Sequence, residues 1–226
     1  MKKVNSTQEI ISELIQPEKK VIIDVGCGIG ELARWLGSVK ATVIGIDKPE
    51  LIKQALNSPP VDGVSFKQGQ AQDLPVETNS ADIVLYMASF HHFPPEKMGE
   101  AINECRRVLK SGGIVVFLEP VVQGSSWYEI TRFFQEEEDL RFLAYNSIKN
   151  TIGHGFQNLI EKFYYIEKKF SDFEAHIEIY VPDPVKRKGI IESAFTVYEK
   201  LLAESGLTRE EFMLKSVSRV NILVKD

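Results

Sequence analysis

Cysteine and long hydrophobic segments are both scarce in this sequence. Cys27 and Cys105 are the only cysteines among 226 residues, and neither belongs to a CxxC pair or a histidine cluster. This argues against a disulfide framework and a structural zinc site, so no metal site is expected. No apolar run approaches the ~20 residues that cross a bilayer, and the first residues lack the apolar core of a signal peptide. The sequence therefore predicts a cytoplasmic protein without membrane contact.

A large excess of one charge and a biased composition are also missing. The formal net charge is -5 and the pI is about 5.5, so nucleic acid is not an expected partner. Hydrophobic residues make up 43% and charged residues 26% of the chain, which excludes disordered, collagen-like and coiled-coil proteins. The length fits a single domain over 1–226, as a monomer or homodimer.

Short β-rich runs alternate with helical stretches over residues 20–119, the pattern of a parallel sheet covered on both faces. The runs that predict strands are Lys20–Val25, Thr42–Ile46, Val64–Lys67, Ile83–Met87 and Ile114–Leu118. Before the last run, apolar residues at three- and four-residue spacing predict a helix with Cys105 in its core face and a stop at Gly112 and Gly113. A short helix is also predicted between Ser6 and Pro17.

Aromatic residues are concentrated after Pro120. Periodicity there predicts helices at 125–146 and 148–168, a strand near 173–181, a helix near 189–205 and a strand near 216–224. The chain would then consist of a core at 1–120, a helical cap insertion at 121–170 and an end at 171–226 that completes the sheet. The expected fold is α/β, with a seven-stranded, mostly parallel sheet and helices on both faces.

A glycine-rich turn follows the first predicted strand, in the stretch Asp24-Val25-Gly26-Cys27-Gly28-Ile29-Gly30. Glycine lets backbone approach a ligand closely, and the free N–H groups of the helix that follows favour a carboxylate or phosphate. The dinucleotide pattern G-x-G-x-x-G fails, because its third position is Glu31. Asp24 would repel a pyrophosphate but suits a ligand that carries an ammonium group.

Asp47 stands at the carboxyl end of the second predicted strand. An acid at this place can accept hydrogen bonds from both hydroxyls of a ribose. The alternative is that Asp47 caps the helix that begins near Pro49. Its position after the glycine turn favours the ribose interpretation.

Five motifs in order resemble those of class I S-adenosylmethionine-dependent methyltransferases, especially the small-molecule subfamily that includes quinone-biosynthesis enzymes. They are Asp24–Gly30, Asp47, Gly69-Gln70-Ala71-Gln72-Asp73-Leu74-Pro75, Ala81-Asp82-Ile83-Val84 with His91-His92-Phe93, and Leu109-Lys110-Ser111-Gly112-Gly113. Each motif alone is weakly specific, and the resemblance covers about residues 1–120. It implies a Rossmann-like methyltransferase fold, S-adenosylmethionine as cofactor and S-adenosylhomocysteine as product.

The resemblance also implies roles for individual residues. The glycines would surround the amino-acid end of the cofactor, Asp24 its ammonium group and Asp47 its ribose. Gln70 stands where the family commonly has Asp against the adenine amino group, and an amide oxygen can accept the same bond. The implied cofactor-binding set is Asp24, Gly26, Cys27, Gly28, Gly30, Asp47, Lys48, Gln70, Ala71, Gln72 and Met87.

His91 and His92 are the candidate catalytic residues, because they follow the fourth predicted strand and imidazole is suited to act as a base near neutral pH. The alternative is that they only form the end of that strand. The later aromatic residues would line an acceptor pocket for a small hydrophobic or aromatic molecule, or else form a second core.

These features predict a methyltransferase acting on a small molecule. A non-catalytic S-adenosylmethionine-binding or regulatory protein of the same fold is the main alternative. A nucleotide-dependent oxidoreductase is disfavoured by Glu31.

Overall fold

The computed structural model describes residues 1–134, 137–169, 177–178, 181 and 183–226. The described helices are α1 (Thr7–Leu14), α2 (Glu31–Ser38), α3 (Pro49–Ala55), α4 (Pro95–Val108), α5 (Ser126–Thr131), α6 (Glu138–Asn150) and α7 (Pro184–Ser205). The strands are β1 (Lys2–Lys3), β2 (Val21–Val25), β3 (Thr42–Asp47), β4 (Val64–Gln68), β5 (Ala81–Met87), β6 (Leu109–Val121), β7 (Phe156–Lys168) and β8 (Leu214–Lys225). A 3-10 turn covers Phe90–His92.

The strands form one sheet in the order β1-β7-β8-β6-β5-β2-β3-β4. The ladders of β2 with β3 and β5, of β3 with β4, of β5 with β6 and of β1 with β7 are parallel. All five strands predicted within 20–119 are therefore confirmed. Among the described residues, none of the helices combines the length and apolar character that a membrane crossing requires.

The chain divides into two compact units, and β6, β7 and β8 each contribute residues to both. The first comprises Met1–Asn5, Pro120–Asp139 and Phe163–Ser218; the second, called the core unit below, comprises Ser6–Glu119, Leu140–Lys162 and Arg219–Asp226. The first has its own apolar cluster, which includes Trp127, Ile130 and Tyr198. The larger cluster of the core unit is formed by one face of its strands with α4 and α6.

Two predicted helices have the expected local chemistry. The side chain of Ser6 caps α1 by accepting a hydrogen bond from the Glu9 backbone N–H at 3.2 Å, as N-cap serines do. Cys105 lies on the buried face of α4, which confirms it as a core residue. The helix ends at Val108, before the predicted glycine stop, because backbone from Leu109 onward is already extended and pairs as β6.

The second helix predicted after Pro120 is wrong. Helix α6 ends at Asn150, and residues 156–168 form strand β7. Gly153 and Gly155 have φ values of 82° and 98°, which break the helix, and the β-favouring run Phe163-Tyr164-Tyr165-Ile166 then forms strand. The predicted cap at 121–170 is thus helical only in its first part.

The sheet has eight strands among the described residues rather than the predicted seven. The additional strands are β1, which pairs Lys2 and Lys3 with β7, and β7 itself. The last predicted strand is confirmed as β8. The strand predicted near 173–181 falls mostly outside the described residues. Ile177 and Glu178 within it are helical, and the Val181 N–H donates to the Ile177 carbonyl at 2.8 Å, so a strand is not formed at these residues.

Candidate functional site

The candidate site lies in the core unit, where β2 ends between β3 and β5. Val25 pairs with Ile46 on one side and with Tyr86 on the other. Strand order reverses at this point, since the chain leaves β2 toward β3 and later returns to β5. Ligands of open parallel sheets bind outside the carboxyl ends of the strands at such a point.

The turn after β2 is built from backbone packed closely against its neighbours. The N–H groups of Gly26 and Cys27 both donate to the Ile46 carbonyl, at 2.8 and 3.3 Å. A Cβ on Gly26 would lie 2.6 Å from the Cβ of Ser89, whose hydroxyl donates to the Val25 carbonyl at 2.8 Å. Ser89 thus packs against the turn and stabilises it. The sequence pattern does not indicate this contact.

The next glycine faces open space. Gly28 has a φ of 56°, and a Cβ there would meet no atom within 4 Å. Its N–H donates to Oδ2 of Asp47 at 2.8 Å, while the Lys48 N–H donates to Oδ1 at 2.7 Å. The half-buried Asp47 carboxylate is therefore fixed by two backbone N–H groups beside the open space at Gly28. It is not the cap of α3, whose N-cap is Lys48 with no side-chain capping bond.

Asp24 is a buried carboxylate without a hydrogen-bond partner among the described residues. Its side chain is 1% exposed, and neither oxygen makes a hydrogen bond. Burial, followed by the nearby negative charge of Asp47, raises the pKa of Asp24 to about 7. Because an unpaired buried charge is costly, this site is complementary to a group that brings positive charge.

The raised pKa of Asp24 predicts how stability depends on pH without a ligand. The ordinary pKa of an aspartate is 3.8, and the pKa of Asp24 in the folded chain is about 7. At pH values between these two, the folded chain keeps a proton on Asp24 that the unfolded chain has lost. The free energy of unfolding should therefore fall as pH rises through this window. We expect Asp24→Asn to remove this contribution and to raise the melting temperature at pH 8 by several degrees, measured by calorimetry.

The exposed Asp62→Asn variant serves as the matched control for that measurement, since it loses the same charge at the surface. Equal melting temperatures of wild type and Asp24→Asn across pH 5–8 would contradict the assignment of this buried charge.

Cys27 is not a nucleophile in this setting. Burial, with Asp24 and Asp47 nearby, raises the pKa of its thiol far above the ordinary range. The sulfur lies 3.0 Å from the position of a Cβ on Gly45. Cys27 therefore contributes shape and backbone to the turn rather than thiolate chemistry.

The loop after β4 lies beside Asp47, whose carbonyl accepts a hydrogen bond from the Gly69 N–H at 3.2 Å. Ala71 is buried, whereas Gln70 is exposed and its amide oxygen accepts a 2.5 Å hydrogen bond from Nε2 of Gln72. The two glutamine side chains form an amide pair. This pair presents polar groups near the ribose-binding candidate without adding another negative charge.

The loop after β5 carries the candidate catalytic residues. Met87 ends β5 and is half-buried, and Ala88 follows with a φ of 50°.

His91 is 2% exposed, and its Nδ1 is hydrogen-bonded to Oε2 of the equally buried Glu119. The other carboxylate oxygen of Glu119, Oε1, accepts a hydrogen bond from the Phe90 N–H at 2.9 Å. His92 is exposed, and its ring lies 4.1 Å from that of His91.

The structure thus distinguishes two histidines that were equivalent in the sequence. Glu119 fixes the orientation of His91, and a histidine that donates from Nδ1 to a carboxylate keeps Nε2 as its basic nitrogen. The predicted residues Asp24, Gly26, Cys27, Gly28 and Asp47 lie together at the end of β2. The sequence did not reveal that His91 pairs with Glu119, a residue of β6.

Comparison with known proteins agrees with this geometry. Residues 23–117 match the family described as methyltransferase domain. An uncharacterised methyltransferase of Oceanobacillus iheyensis, OB1106, is 24% identical over 75% of this chain and 75% of its own length. A fatty-acid O-methyltransferase of Mycolicibacterium smegmatis is 33% identical over 45% of this chain and 38% of its own length.

A solved structure has the same fold. It belongs to a protein of Anabaena variabilis assigned as a methyltransferase of an antibiotic biosynthesis pathway, with a TM-score of 0.66, 17% identity, and coverage of 97% of this chain and 96% of that one. Residues 23–117 thus form a methyltransferase domain, the structural similarity shows the class I methyltransferase fold, and the protein is an enzyme of the methyltransferase class. The resemblance of the sequence motifs to class I methyltransferases is confirmed.

Proposed function

We propose that this chain binds S-adenosylmethionine at the ends of β2, β3 and β4 and methylates a small molecule. The observation that carries the proposal is the unpaired, buried carboxylate of Asp24 beneath an open glycine turn. An ammonium group would complete the hydrogen bonding of Asp24, and a diphosphate would be repelled by it. The amino-acid end of S-adenosylmethionine carries such a group.

The proposed cofactor contacts follow from this placement. Gly26, Cys27, Gly28 and Gly30 would surround the amino-acid end, with Asp24 below it. Asp47 retains acceptor capacity for ribose hydroxyls, because each of its oxygens accepts only one backbone hydrogen bond. The remaining proposed contacts are Lys48 beside the ribose, Gln70, Ala71 and Gln72 at the adenine, and Met87 near the sulfonium.

S-adenosylmethionine supplies the electrophilic methyl group and the leaving group. The chain itself must hold the acceptor in line and exclude water, and positioning of this kind can account for about 7–11 kcal/mol of a barrier. His91 is the proposed base, since Glu119 orients it and its Nε2 can accept a proton from the acceptor. No dedicated nucleophile of the protein is needed.

The proposed acceptor is a small, hydrophobic or aromatic molecule. The Mycolicibacterium relative, whose name states a fatty-acid acceptor, supports this size class. We also propose a cytoplasmic location, supported by the free thiols of Cys27 and Cys105. Nucleic acid and membrane partners are not proposed, and a monomer or homodimer is expected.

An acceptor screen tests the proposed reaction. Purified protein is incubated with methyl-labelled S-adenosylmethionine and a library of small hydrophobic and aromatic molecules, and products are read by mass spectrometry. The proposal requires transfer of one labelled methyl group to at least one library member. Labelling confined to nucleic acid or protein substrates supplied in parallel would contradict it.

The ribose role of Asp47 gives a direct prediction. Asp47→Ala removes a charged acceptor for two hydroxyls, so we expect the affinity for S-adenosylhomocysteine to fall about tenfold or more. Titration calorimetry measures the change, with the exposed Asp62→Ala as the matched loss of charge. An unchanged dissociation constant in Asp47→Ala would remove this residue from the site.

A further inference from the structure

A buried polar network lies in the core unit among α6, β7 and β8. Arg219 of β8 is 8% exposed, and its Nε donates to Oδ1 of Asn221 at 2.7 Å. Asn221 Nδ2 donates in turn to Oε2 of Glu161 at 2.7 Å, and the Tyr145 hydroxyl donates to the same oxygen at 3.1 Å. Each of these side chains is held by another member of the network.

The guanidinium of Arg219 has a fixed orientation, but its two Nη atoms make no hydrogen bond to the described residues. Its central carbon lies 3.7 Å from the centre of the Tyr145 ring, so stacking and the Nε hydrogen bond together set the plane of the group. Among the described residues, neither Nη atom has a hydrogen-bond partner. Arginine is rarely buried in this way unless its planar fork is paired.

The neighbouring carboxylates are already occupied by other donors. Glu161 is bonded to Asn221 and Tyr145 and lies 3.6 Å from Nζ of Lys149. Glu119 is bonded to His91 and to the Phe90 N–H. Both negative charges act on Arg219 at longer range, while burial lowers the pKa of Arg219 from its ordinary value. The Nη donors of Arg219 can therefore bind an anion that the chain itself does not provide.

We propose that Arg219 binds a carboxylate of the methyl acceptor through its Nη donors. The inference rests on the proposed function, because it takes the acceptor to be a small molecule that reaches His91. Glu119 connects the two places, because it orients His91 and its negative charge also acts on Arg219. A carboxylate matches the fork in charge, planarity and spacing.

This arrangement separates recognition from reaction. A carboxylate held by a guanidinium has its negative charge neutralised and is a weaker nucleophile, so the methylated atom is expected to be another part of the acceptor that faces His91. The substrate class is therefore a hydrophobic or aromatic carboxylic acid with a second nucleophilic group.

Paired ligands test the inference. Carboxylic acids and their primary amides, beginning with 4-hydroxybenzoate and 4-hydroxybenzamide, are titrated into the complex with S-adenosylhomocysteine. We expect the acid of at least one pair to bind about tenfold more tightly than its amide. The preference should fall to about onefold in Arg219→Met and persist in Lys149→Met, which loses an exposed cation beside the same Glu161.

Arg219→Lys keeps the buried charge without the planar fork. It is the variant to be titrated if Arg219→Met does not fold. An acid preference at least threefold smaller than wild type is expected. An undiminished preference in the Arg219 variants, or equal binding of acids and amides across the panel, overturns the inference. Failure of the wild type to bind S-adenosylhomocysteine would instead refute the proposed function on which it rests.

Discussion

Replacing Asp24 with asparagine is expected to weaken binding of S-adenosylhomocysteine by about a hundredfold. Asparagine is nearly the same size, so the buried space is kept while the charge opposite the ligand ammonium group is lost. A hydrogen bond to a charged group contributes about 1.5–3 kcal/mol, and about 2.8 kcal/mol corresponds to a hundredfold change. Titration calorimetry at pH 8 measures the difference.

The same carboxyl group makes binding depend on pH. Its pKa in the ligand-free chain is about 7, so below this pH the group is increasingly protonated and presents no charge. The affinity of wild type should fall as pH drops below 7, by up to about tenfold per pH unit. Asp24→Asn should lack this dependence, and the exposed Asp62→Asn variant should retain it.

An affinity of Asp24→Asn equal to that of wild type at pH 8 would show that Asp24 does not meet the ligand. A steep pH dependence that survives in Asp24→Asn would assign the titration to another group.

Replacing His91 with asparagine is expected to lower kcat by about 10²–10⁴-fold, the usual contribution of a positioned base. Affinity for S-adenosylhomocysteine should stay close to wild type, because His91 pairs with Glu119, which is not one of the proposed cofactor contacts. The measurement is steady-state methyl transfer to the acceptor found in the screen. His92→Asn is the comparison, and its exposed ring predicts a loss of less than about tenfold.

Glu119 is a positioning residue in this scheme. Glu119→Gln keeps the side-chain shape but removes the carboxylate charge next to His91, so the pH profile of kcat should shift toward lower pH. Comparable activity of wild type and His91→Asn would show that His91 is not the base and that positioning of the two substrates is the only source of catalysis. An unshifted profile in Glu119→Gln would reduce Glu119 to a structural residue.

The parts of the fold that the sequence could predict are those with strong local patterns. The strands around the site are short apolar runs. The acids that mark the candidate site are Asp24, the next-to-last residue of β2, and Asp47, the last residue of β3. The apolar residues of strand β7 also recur near helical spacing, so the sequence pattern predicts a helix there. Two glycines and pairing within the sheet decided its conformation.

The contacts that the sequence could not reveal join residues far apart in the chain. Ser89 supports the carbonyl of Val25 across 64 positions, and Glu119 orients His91 across 28. Arg219 meets Tyr145 only because β8 and α6 pack together in the core unit. No local pattern distinguishes these polar residues from surface ones, so their burial had to come from the structure.

Calorimetric titration of the purified chain with S-adenosylmethionine, S-adenosylhomocysteine and NAD distinguishes a site for a sulfur nucleoside from a site for a dinucleotide. We expect one binding site that accepts both sulfur nucleosides and rejects the dinucleotide. Heat of binding from NAD, with none from either sulfur nucleoside, would contradict it.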